Sequence, residues 1–228
     1  MSENNSQYDV IVIGAGVAGL YQLFKLRQLK LKALVIEAGD NVGGTWYWNR
    51  YPGARFDSES WSYGYSFSKE LFEEWDWPEH FAAQPDTLRY LNYVADKFDF
   101  RRDIKFDRRV EACVFDQHND LWTVRTNTKE EYVARFLITA LGPLSAFTLP
   151  NIEGRETFKG PAYHTARWPH EEVDFSGKRV GIIGTGACAI QTIQTIAKDV
   201  AHLTVFQRSP NWAAPLNNSV ITEDEQKQ

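Results

Sequence analysis

Residues Ile11–Gly19, IVIGAGVAG, place three glycines directly after a short β-branched run. That run, Tyr8–Ile13 (YDVIVI), has the length and composition of a buried strand. The stretch Leu20–Leu31 has the apolar spacing of an amphipathic helix, and Ala33–Glu37 (ALVIE) predicts a second buried strand. The sequence therefore predicts a strand-turn-helix-strand unit and, with it, an α/β fold of the doubly wound, Rossmann-like kind.

We call Gly14–Gly19 the first glycine turn. Its G-x-G-x-x-G spacing in this context is the fingerprint of dinucleotide binding. Gly14 permits the tight turn, Gly16 lets the backbone approach a pyrophosphate, and Gly19 lets helix and strand pack closely. The helix N-terminus around Ala18 adds amide donors. Glu37 is placed to accept hydrogen bonds from a ribose diol, which predicts FAD or NAD; the alternative is a glycine-rich turn without a ligand.

A second glycine turn, Gly184–Ala189, has the permitted G-x-G-x-x-A form. Predicted strands at Arg179–Ile183 and Leu203–Phe206 flank it, with a helix between them that ends near Lys198. The residues predicted to bind a nucleotide at this turn are Gly184, Thr185, Gly186, Ala187, Cys188 and Gln191.

The residues after the second strand differ between the two units. Where the first unit has Glu37, the second has Gln207, Arg208 and Ser209. An acid repels a ribose 2′-phosphate, whereas an arginine and a hydroxyl bind one. We therefore predict NADPH at the second turn; the alternative for Arg208 is a solvated surface arginine. Two dinucleotide sites on one chain predict an electron relay from NADPH to a flavin.

The aromatic loop Gly43–Asp57, GGTWYWNRYPGARFD, follows the first unit and is predicted to line the flavin. Asp57 is a candidate catalytic residue, as the partner of an arginine or as a group that tunes flavin and nicotinamide electronics. The alternative is an aspartate that caps a loop. The predicted flavin contacts are Gly44, Thr45, Trp46, Tyr47, Trp48, Arg55, Asp57, Tyr63 and Val110.

The remaining sequence predicts further helices, strands and the domain boundaries. Asp40–Tyr65 is expected to be a long loop and Thr87–Phe98 a helix. A small antiparallel meander is predicted from three runs, Val110–Phe115, Leu121–Thr126 and Tyr132–Arg135. A separate buried strand is predicted from FLITAL, Phe136–Leu141. We predict an FAD-binding domain over residues 1–145, a linker over 146–177 and an incomplete NADPH-binding domain over 178–228, with residues 216–228 loosely held.

Composition narrows the class of protein. The 228 residues are 43% hydrophobic and carry a formal net charge of −5, which argues against binding to nucleic acid. The N-terminal MSENNSQ has no signal-peptide features, and no apolar run is long enough to span a bilayer; we therefore expect a cytoplasmic protein. Cys113 and Cys188 match no metal spacing and are predicted to be reduced core thiols. The oligomeric state is not readable from the sequence.

One segment makes the assignment specific. We call Phe158–Pro169, FKGPAYHTARWP, the fingerprint segment, because it fits F-x-G-x-x-x-H-x-x-x-W-P. With the aromatic loop and FLITALGPLS, it resembles the type I Baeyer-Villiger monooxygenases, most closely the phenylacetone and steroid branch. The resemblance runs from Tyr8 to about Asn217. Gly160 is expected to permit an unusual backbone turn.

The resemblance implies a reaction and a role for His164. NADPH reduces FAD, the reduced flavin and O2 form a C4a-peroxyflavin, and this species inserts oxygen beside a ketone carbonyl to give an ester or lactone. His164 is implied to couple domain movement to catalysis; the alternative is a packing histidine. The arginine implied to pair with Asp57 is expected beyond Gln228, so we expect the chain to be the N-terminal portion of a longer enzyme.

Two other readings stay open on sequence grounds. One is a class B flavin monooxygenase that oxidises nitrogen or sulfur. The other is a truncated fragment that binds nucleotides without full activity. A flavin disulphide reductase is disfavoured, because it needs a redox-active cysteine pair and this chain has only two distant cysteines.

Overall fold

The computed structural model describes residues 7–226. Its contacts group the chain into two compact units. Unit 1 contains the described residues up to Tyr47 together with Leu88–Phe147, and unit 2 contains Trp48–Thr87 together with the described residues from Thr148. The predicted domain boundaries at residues 145 and 178 stay a prediction.

Unit 1 is built on a mixed sheet in the order β3-β2-β1-β6-β5-β4. Strand β1 pairs in parallel with β2 and β6, so that Val12 lies between Val35 and Ile138. Strand β2 pairs in parallel with the short β3, while β4, β5 and β6 form the predicted antiparallel meander. The strands are β1 (Tyr8–Ile13), β2 (Ala33–Ile36), β3 (Ile104–Lys105), β4 (Val110–Asp116), β5 (Leu121–Thr126) and β6 (Glu131–Thr139). The predicted α/β class is confirmed.

Strand β6 corrects one prediction. The runs Tyr132–Arg135 and Phe136–Leu141 lie on one continuous strand, which ends at Thr139. Its first half pairs antiparallel with β5 and its second half pairs parallel with β1. The second half was expected to be buried, yet Phe136 is 53% exposed. One strand thus joins the meander to the parallel part of the sheet.

The helices begin and end close to the predicted positions. Helix α1 (Val17–Gln28) starts directly after Gly16. Two one-turn helices interrupt the expected long loop, α2 (Thr45–Trp48) and α3 (Ser60–Tyr63). They precede α4 (Lys69–Glu74) and α5 (Gln84–Lys97), the helix predicted from Thr87.

Unit 2 contains the second strand-turn-helix-strand unit. Strands β7 (Arg179–Ile183) and β8 (His202–Phe206) pair with each other in parallel, and helix α6 (Ala187–Ile196) connects them in the chain. The last helix is α7 (Glu223–Gln226). Short 3-10 turns lie at Arg155–Thr157 and Thr165–Arg167.

The expectation that residues 216–228 are loosely held is wrong for those the structure describes. Ile221 is buried, and its amide donates to the carbonyl of Pro78 at 3.1 Å. Val220 forms a bridge with Glu79. Backbone pairing with residues distant in sequence therefore holds this segment, and sequence composition does not report such pairing. Residues 227–228 lie outside the described residues.

Two smaller findings complete the fold. Cys113 and Cys188 are free thiols, but both are half-buried, so the expectation of core positions is wrong. Burial raises the pKa of the Cys113 thiol. Across residues 7–226, no helix combines the length and the apolar character that crossing a bilayer requires.

Candidate functional site

The first glycine turn is closely packed against its surroundings. Gly14 has φ of +103°, and an ideal Cβ there would lie 2.6 Å from the carbonyl oxygen of Ala140. A Cβ at Gly19 would lie 1.8 Å from the carbonyl oxygen of Gly14. Gly16 is the N-cap of α1 and makes no side-chain cap bond. Sterics alone therefore require glycine at residues 14 and 19.

Glu37 holds this turn from inside the protein. Its side chain is buried, and Oε2 accepts a hydrogen bond from the amide of Ala15 at 2.6 Å. Oε1 accepts a hydrogen bond from the amide of Gly39 at 2.8 Å. Each carboxylate oxygen has a second lone pair, so a ribose hydroxyl still finds an acceptor there. The predicted ribose contact stays a prediction, but a structural role is visible directly.

The start of the aromatic loop lies on the first glycine turn. The amide of Gly43 donates to the carbonyl of Ala15 at 3.1 Å. Gly44 has φ of +53°, and a Cβ there would lie 2.8 Å from Cα of Gly16. The structure therefore brings together the first turn, Glu37 and the Gly43–Gly44 segment.

The other predicted flavin contacts in unit 1 differ in exposure. Trp46 and Tyr47 are 7% and 6% exposed, and the ring of Tyr47 packs on Gly39, where a Cβ would be 2.7 Å away. Val110 packs against the hydrophobic cluster of the sheet. Thr45 is half-buried at the start of α2, and Ala18 is exposed on the first turn of α1. Their contacts with a cofactor stay predictions.

The second glycine turn repeats the backbone of the first in open surroundings. Gly184 has φ of +105°, and its amide donates to the carbonyl of Phe206 at 2.9 Å. The amide of Gly14 donates to the carbonyl of Ile36 in the same way, at 2.8 Å. A Cβ at Gly184 or Gly186 would meet no described atom within 4 Å. The N-terminus of α6, where Ala187 lies, therefore has an open approach.

Gln207 ties the end of β8 to the second turn. Its Nε2 donates to Oγ1 of Thr185 at 3.0 Å, and Asn211 donates to the carbonyl of Thr185 at 3.1 Å. Arg208 and Ser209 follow directly and are exposed. The pair predicted to bind a 2′-phosphate is thus held beside the turn predicted to bind the pyrophosphate. Sequence reasoning missed the bond from Gln207, although its position matches that of Glu37.

Helix α6 also contacts the second half of the aromatic loop, which sequence reasoning did not foresee. The hydroxyl of Tyr51 donates to Oε1 of Gln191 at 2.8 Å. Nε2 of Gln191 donates to the carbonyl of Arg55 at 3.0 Å. Burial raises the pKa of the Tyr51 hydroxyl, and the neighbouring thiol of Cys188 adds to the rise. Gln191 and Cys188, predicted as nucleotide ligands, therefore have partners in the loop.

The loop residues around Asp57 have different surroundings. Arg55 pairs with Glu79 at 2.8 Å and donates to the carbonyl of Phe81 at 3.0 Å. Tyr63 stacks on Phe56 with ring centroids 4.4 Å apart. Asp57 is exposed. The guanidinium of Arg55, a predicted flavin contact, is thus engaged in an ion pair, while the carboxylate of Asp57 faces solvent.

The fingerprint segment is ordered by His164. Nδ1 of His164 accepts a hydrogen bond from the amide of Ala166 at 3.1 Å, which caps the turn Thr165–Arg167. The guanidinium of Arg167 lies over the ring of Trp48, 4.8 Å from its centroid. The expectation of an unusual turn at Gly160 is wrong, because its φ is not in the left-handed region. A Cβ there would instead lie 2.7 Å from the ring of Phe158.

Both the sequence and the structure of the chain are similar to those of known proteins. The family model described as pyridine nucleotide-disulphide oxidoreductase matches residues 11–222. A 2-oxo-Δ3-4,5,5-trimethylcyclopentenylacetyl-CoA monooxygenase of Pseudomonas putida is 50% identical, over 95% of this chain and 41% of its own length. A Baeyer-Villiger monooxygenase of Pseudooceanicola batsensis is 46% identical, over 94% of this chain and 39% of its own length.

A further relative and a solved structure add detail. Phenazine N-monooxygenase of Lysobacter antibioticus is 44% identical, over 98% of this chain and 41% of its own length. The crystal structure of OTEMO in complex with FAD and NADP is 49% identical and superposes with a TM-score of 0.94, over 98% of this chain and 43% of that one. The chain thus spans about two fifths of the length of the relatives that it matches.

Proposed function

The chain belongs to the family described as pyridine nucleotide-disulphide oxidoreductase, and on that premise we propose that the protein is an FAD- and NADPH-dependent Baeyer-Villiger monooxygenase. The predicted resemblance to Baeyer-Villiger enzymes is confirmed by relatives at 46–50% identity. The proposed reaction inserts one oxygen atom of O2 next to a ketone carbonyl and gives an ester or a lactone.

One observation carries the choice of cofactors. The two glycine turns have similar backbone conformations, but the residues after the second strand differ. In unit 1 that residue is the buried Glu37. In unit 2 it is Gln207, and the exposed Arg208 and Ser209 follow it. A carboxylate suits a free ribose diol, and a guanidinium with a hydroxyl suits a 2′-phosphate. This difference supports FAD at the first turn and NADPH at the second.

The residues around the first turn fit FAD. The N-terminus of α1, which follows Gly16, directs backbone amides towards the place where a pyrophosphate would lie. Glu37 keeps acceptor capacity for a ribose, and the Gly43–Gly44 segment brings backbone close to the turn. Bound FAD supplies electron transfer and the activation of O2.

The residues around the second turn fit NADPH. No described atom lies within 4 Å of a Cβ built at Gly184 or Gly186, so this space is open to a ligand. The bond from Gln207 to Thr185 keeps Arg208 and Ser209 beside this space. We propose that Arg208 donates to the 2′-phosphate and that Ser209 adds a hydroxyl. Gly184, Thr185, Gly186 and Ala187 then supply backbone to the pyrophosphate.

The aromatic loop and the fingerprint segment have proposed roles away from nucleotide phosphates. Asp57 is proposed to pair with an arginine or to tune the electronics near the flavin, and His164 to order the fingerprint segment through its bond to Ala166. Trp48, against which Arg167 lies, is proposed to help exclude water from the reacting atoms.

The test compares wild-type protein with Arg208→Ala and Arg208→Lys. Loss of a charged hydrogen bond is worth about 1.5–3 kcal/mol, so the Kd for NADPH is expected to rise about 10- to 100-fold in Arg208→Ala, with little change for NADH. Arg208→Lys keeps a charge without the planar fork and is expected to fall between. An equal rise in the Kd for NADPH and for NADH would show that Arg208 does not bind the 2′-phosphate. Ketone-stimulated NADPH oxidation with an ester or lactone product tests the reaction itself.

A second candidate function is oxygenation of a heteroaromatic nitrogen, because a relative of nearly equal similarity is named phenazine N-monooxygenase. The same NADPH assay separates the two when it is run with a cyclic ketone and with phenazine. An N-oxide product without an ester would favour this candidate.

A further inference from the structure

The segment Tyr51–Asp57 is clamped on the helix that begins at the second glycine turn. Tyr51 is 7% exposed, and its hydroxyl donates to Oε1 of Gln191 at 2.8 Å. The amide of Arg55 approaches the same oxygen at 3.4 Å, and Nε2 of Gln191 donates to the carbonyl of Arg55 at 3.0 Å. One carboxamide thus engages the loop at two residues on either side of a turn.

The turn between those residues presses directly on the helix. The amide of Ala54 donates to the carbonyl of Tyr51, and Gly53 has φ of +80°, which with Pro52 gives a type II turn. A Cβ at Gly53 would lie 2.2 Å from Oγ1 of Thr195 and 2.6 Å from the carbonyl of Gln191. Gly53 has no side chain, so the backbone of the loop lies close to the hydroxyl of Thr195 and to the carbonyl of Gln191.

The far side of Arg55 is fixed as well. Its guanidinium pairs with Glu79 at 2.8 Å, and Asn218 donates to the same carboxylate oxygen at 2.8 Å. Arg55 also forms a bridge with Ala83. Arg55 therefore joins helix α6 to Glu79 and Ala83, and Asp57 lies two residues further along the chain.

We propose that Gln191 is a positioning residue, whose carboxamide makes the Tyr51–Asp57 segment follow helix α6, so that a nicotinamide nucleotide at Gly184–Ala189 sets the position of the Asp57 carboxylate. This proposal rests on the proposed function, because it needs a nucleotide at the second turn. It gives Gln191 a role through the loop in place of the nucleotide contact expected from the sequence. The coupling is reciprocal, so loss of the loop contact is expected to weaken nucleotide binding too, by less than about threefold.

The experiment measures amide hydrogen exchange in the intact protein, with and without NADP+. Wild-type protein is compared with Gln191→Met, which keeps an unbranched side chain of similar length without a carboxamide. Gln194→Met is the matched control, since Gln194 is exposed on the same helix. In wild type and control, NADP+ is expected to slow exchange at least fivefold both at residues 184–189 and at residues 51–55. In Gln191→Met, protection at 184–189 remains and protection at 51–55 is lost.

Each outcome decides one claim. Protection of residues 51–55 that survives in Gln191→Met would overturn the positioning role and leave the nucleotide site intact. Wild-type protection at 184–189 without any at 51–55 would do the same. No protection at 184–189 in wild-type protein would overturn the proposed function and, with it, this inference.

A second measurement separates positioning from simple stabilisation. The rate of flavin reduction at saturating NADPH is expected to fall at least fivefold in Gln191→Met, while the Kd for NADPH changes less than threefold. Gln191→Glu keeps the acceptor for Tyr51 and is expected to recover part of the reduction rate. A rise in Kd with an unchanged reduction rate would indicate a direct nucleotide ligand and overturn the positioning role.

Discussion

Gly14 and Gly184 begin the two glycine turns with φ of +103° and +105°, and each donates its amide to the carbonyl at the end of the following strand. The surroundings differ. Around the first turn a Cβ meets backbone at all three glycines, at 2.6, 3.3 and 1.8 Å, whereas at Gly184 and Gly186 it meets nothing within 4 Å. The same motif is therefore a packing requirement in unit 1 and an open surface in unit 2.

The third position of each turn shows the difference most directly. Unit 1 has Gly19 there, and unit 2 has Ala189. The Cβ of an alanine at residue 19 would lie 1.8 Å from the carbonyl oxygen of Gly14, which no small adjustment relieves. The protein thus tolerates a methyl group at one turn and excludes it at the other.

The largest expected effect is that of Gly19→Ala. The clash with backbone is expected to cost more than about 4 kcal/mol of unfolding free energy, a loss that only severe steric or polar defects produce. The converse change, Ala189→Gly, is the control and is expected to cost about 1 kcal/mol through helix propensity. Urea unfolding of the intact protein measures both. Similar losses for the two variants would mean that the two turns are equally packed.

The next comparison is Gly14→Ala against Gly184→Ala. Both place an alanine at a positive φ, which costs about 1–3 kcal/mol. Gly14→Ala adds contact with the carbonyl of Ala140 at 2.6 Å, and such overpacking costs about 1–3 kcal/mol more. The difference between the two unfolding free energies isolates the packing contribution. A difference near zero would contradict a role for packing at Gly14.

A smaller effect is expected from the residues that hold the turns. Glu37→Gln keeps the shape, but it directs an NH2 group at the amide of Ala15 or of Gly39, so one buried donor loses its acceptor at a cost of about 1–3 kcal/mol. Gln207→Ala removes an exposed bond to Thr185 and is expected to cost less than about 0.5 kcal/mol. Thermal unfolding, read with FAD retention after dialysis, tests the pair. Equal stability for both variants would contradict the buried role of Glu37.

The smallest effect on folding is expected from Gly186→Ala. Its φ of −74° suits alanine, and no described atom lies within 4 Å of the added Cβ, so stability is expected to change by less than about 0.5 kcal/mol. The methyl group would occupy the approach of the pyrophosphate, so the Kd for NADP+ in titration calorimetry is expected to rise at least about 10-fold, or 1.4 kcal/mol. Unchanged affinity would place the nucleotide elsewhere.

The sequence by itself determined the two strand-turn-helix-strand units, because hydrophobic periodicity and glycine spacing are local properties. It also distinguished Glu37 from Arg208, because the position after the second strand is fixed by the motif. It predicted the antiparallel meander for the same reason, with the ends of β4 and β5 within one residue of those observed, whereas β6 continues past the predicted end at Arg135 to Thr139.

Tertiary structure decided what the local pattern does not encode. The continuity of β6 follows from having β5 beside one half and β1 beside the other. Both carboxylate oxygens of Glu37 accept hydrogen bonds from backbone amides. Gln191 bonds to Arg55 and Tyr51, which lie 136 and 140 positions before it in the chain. Such contacts join side chains to partners chosen by the fold, and no spacing rule in the sequence identifies a partner at that distance.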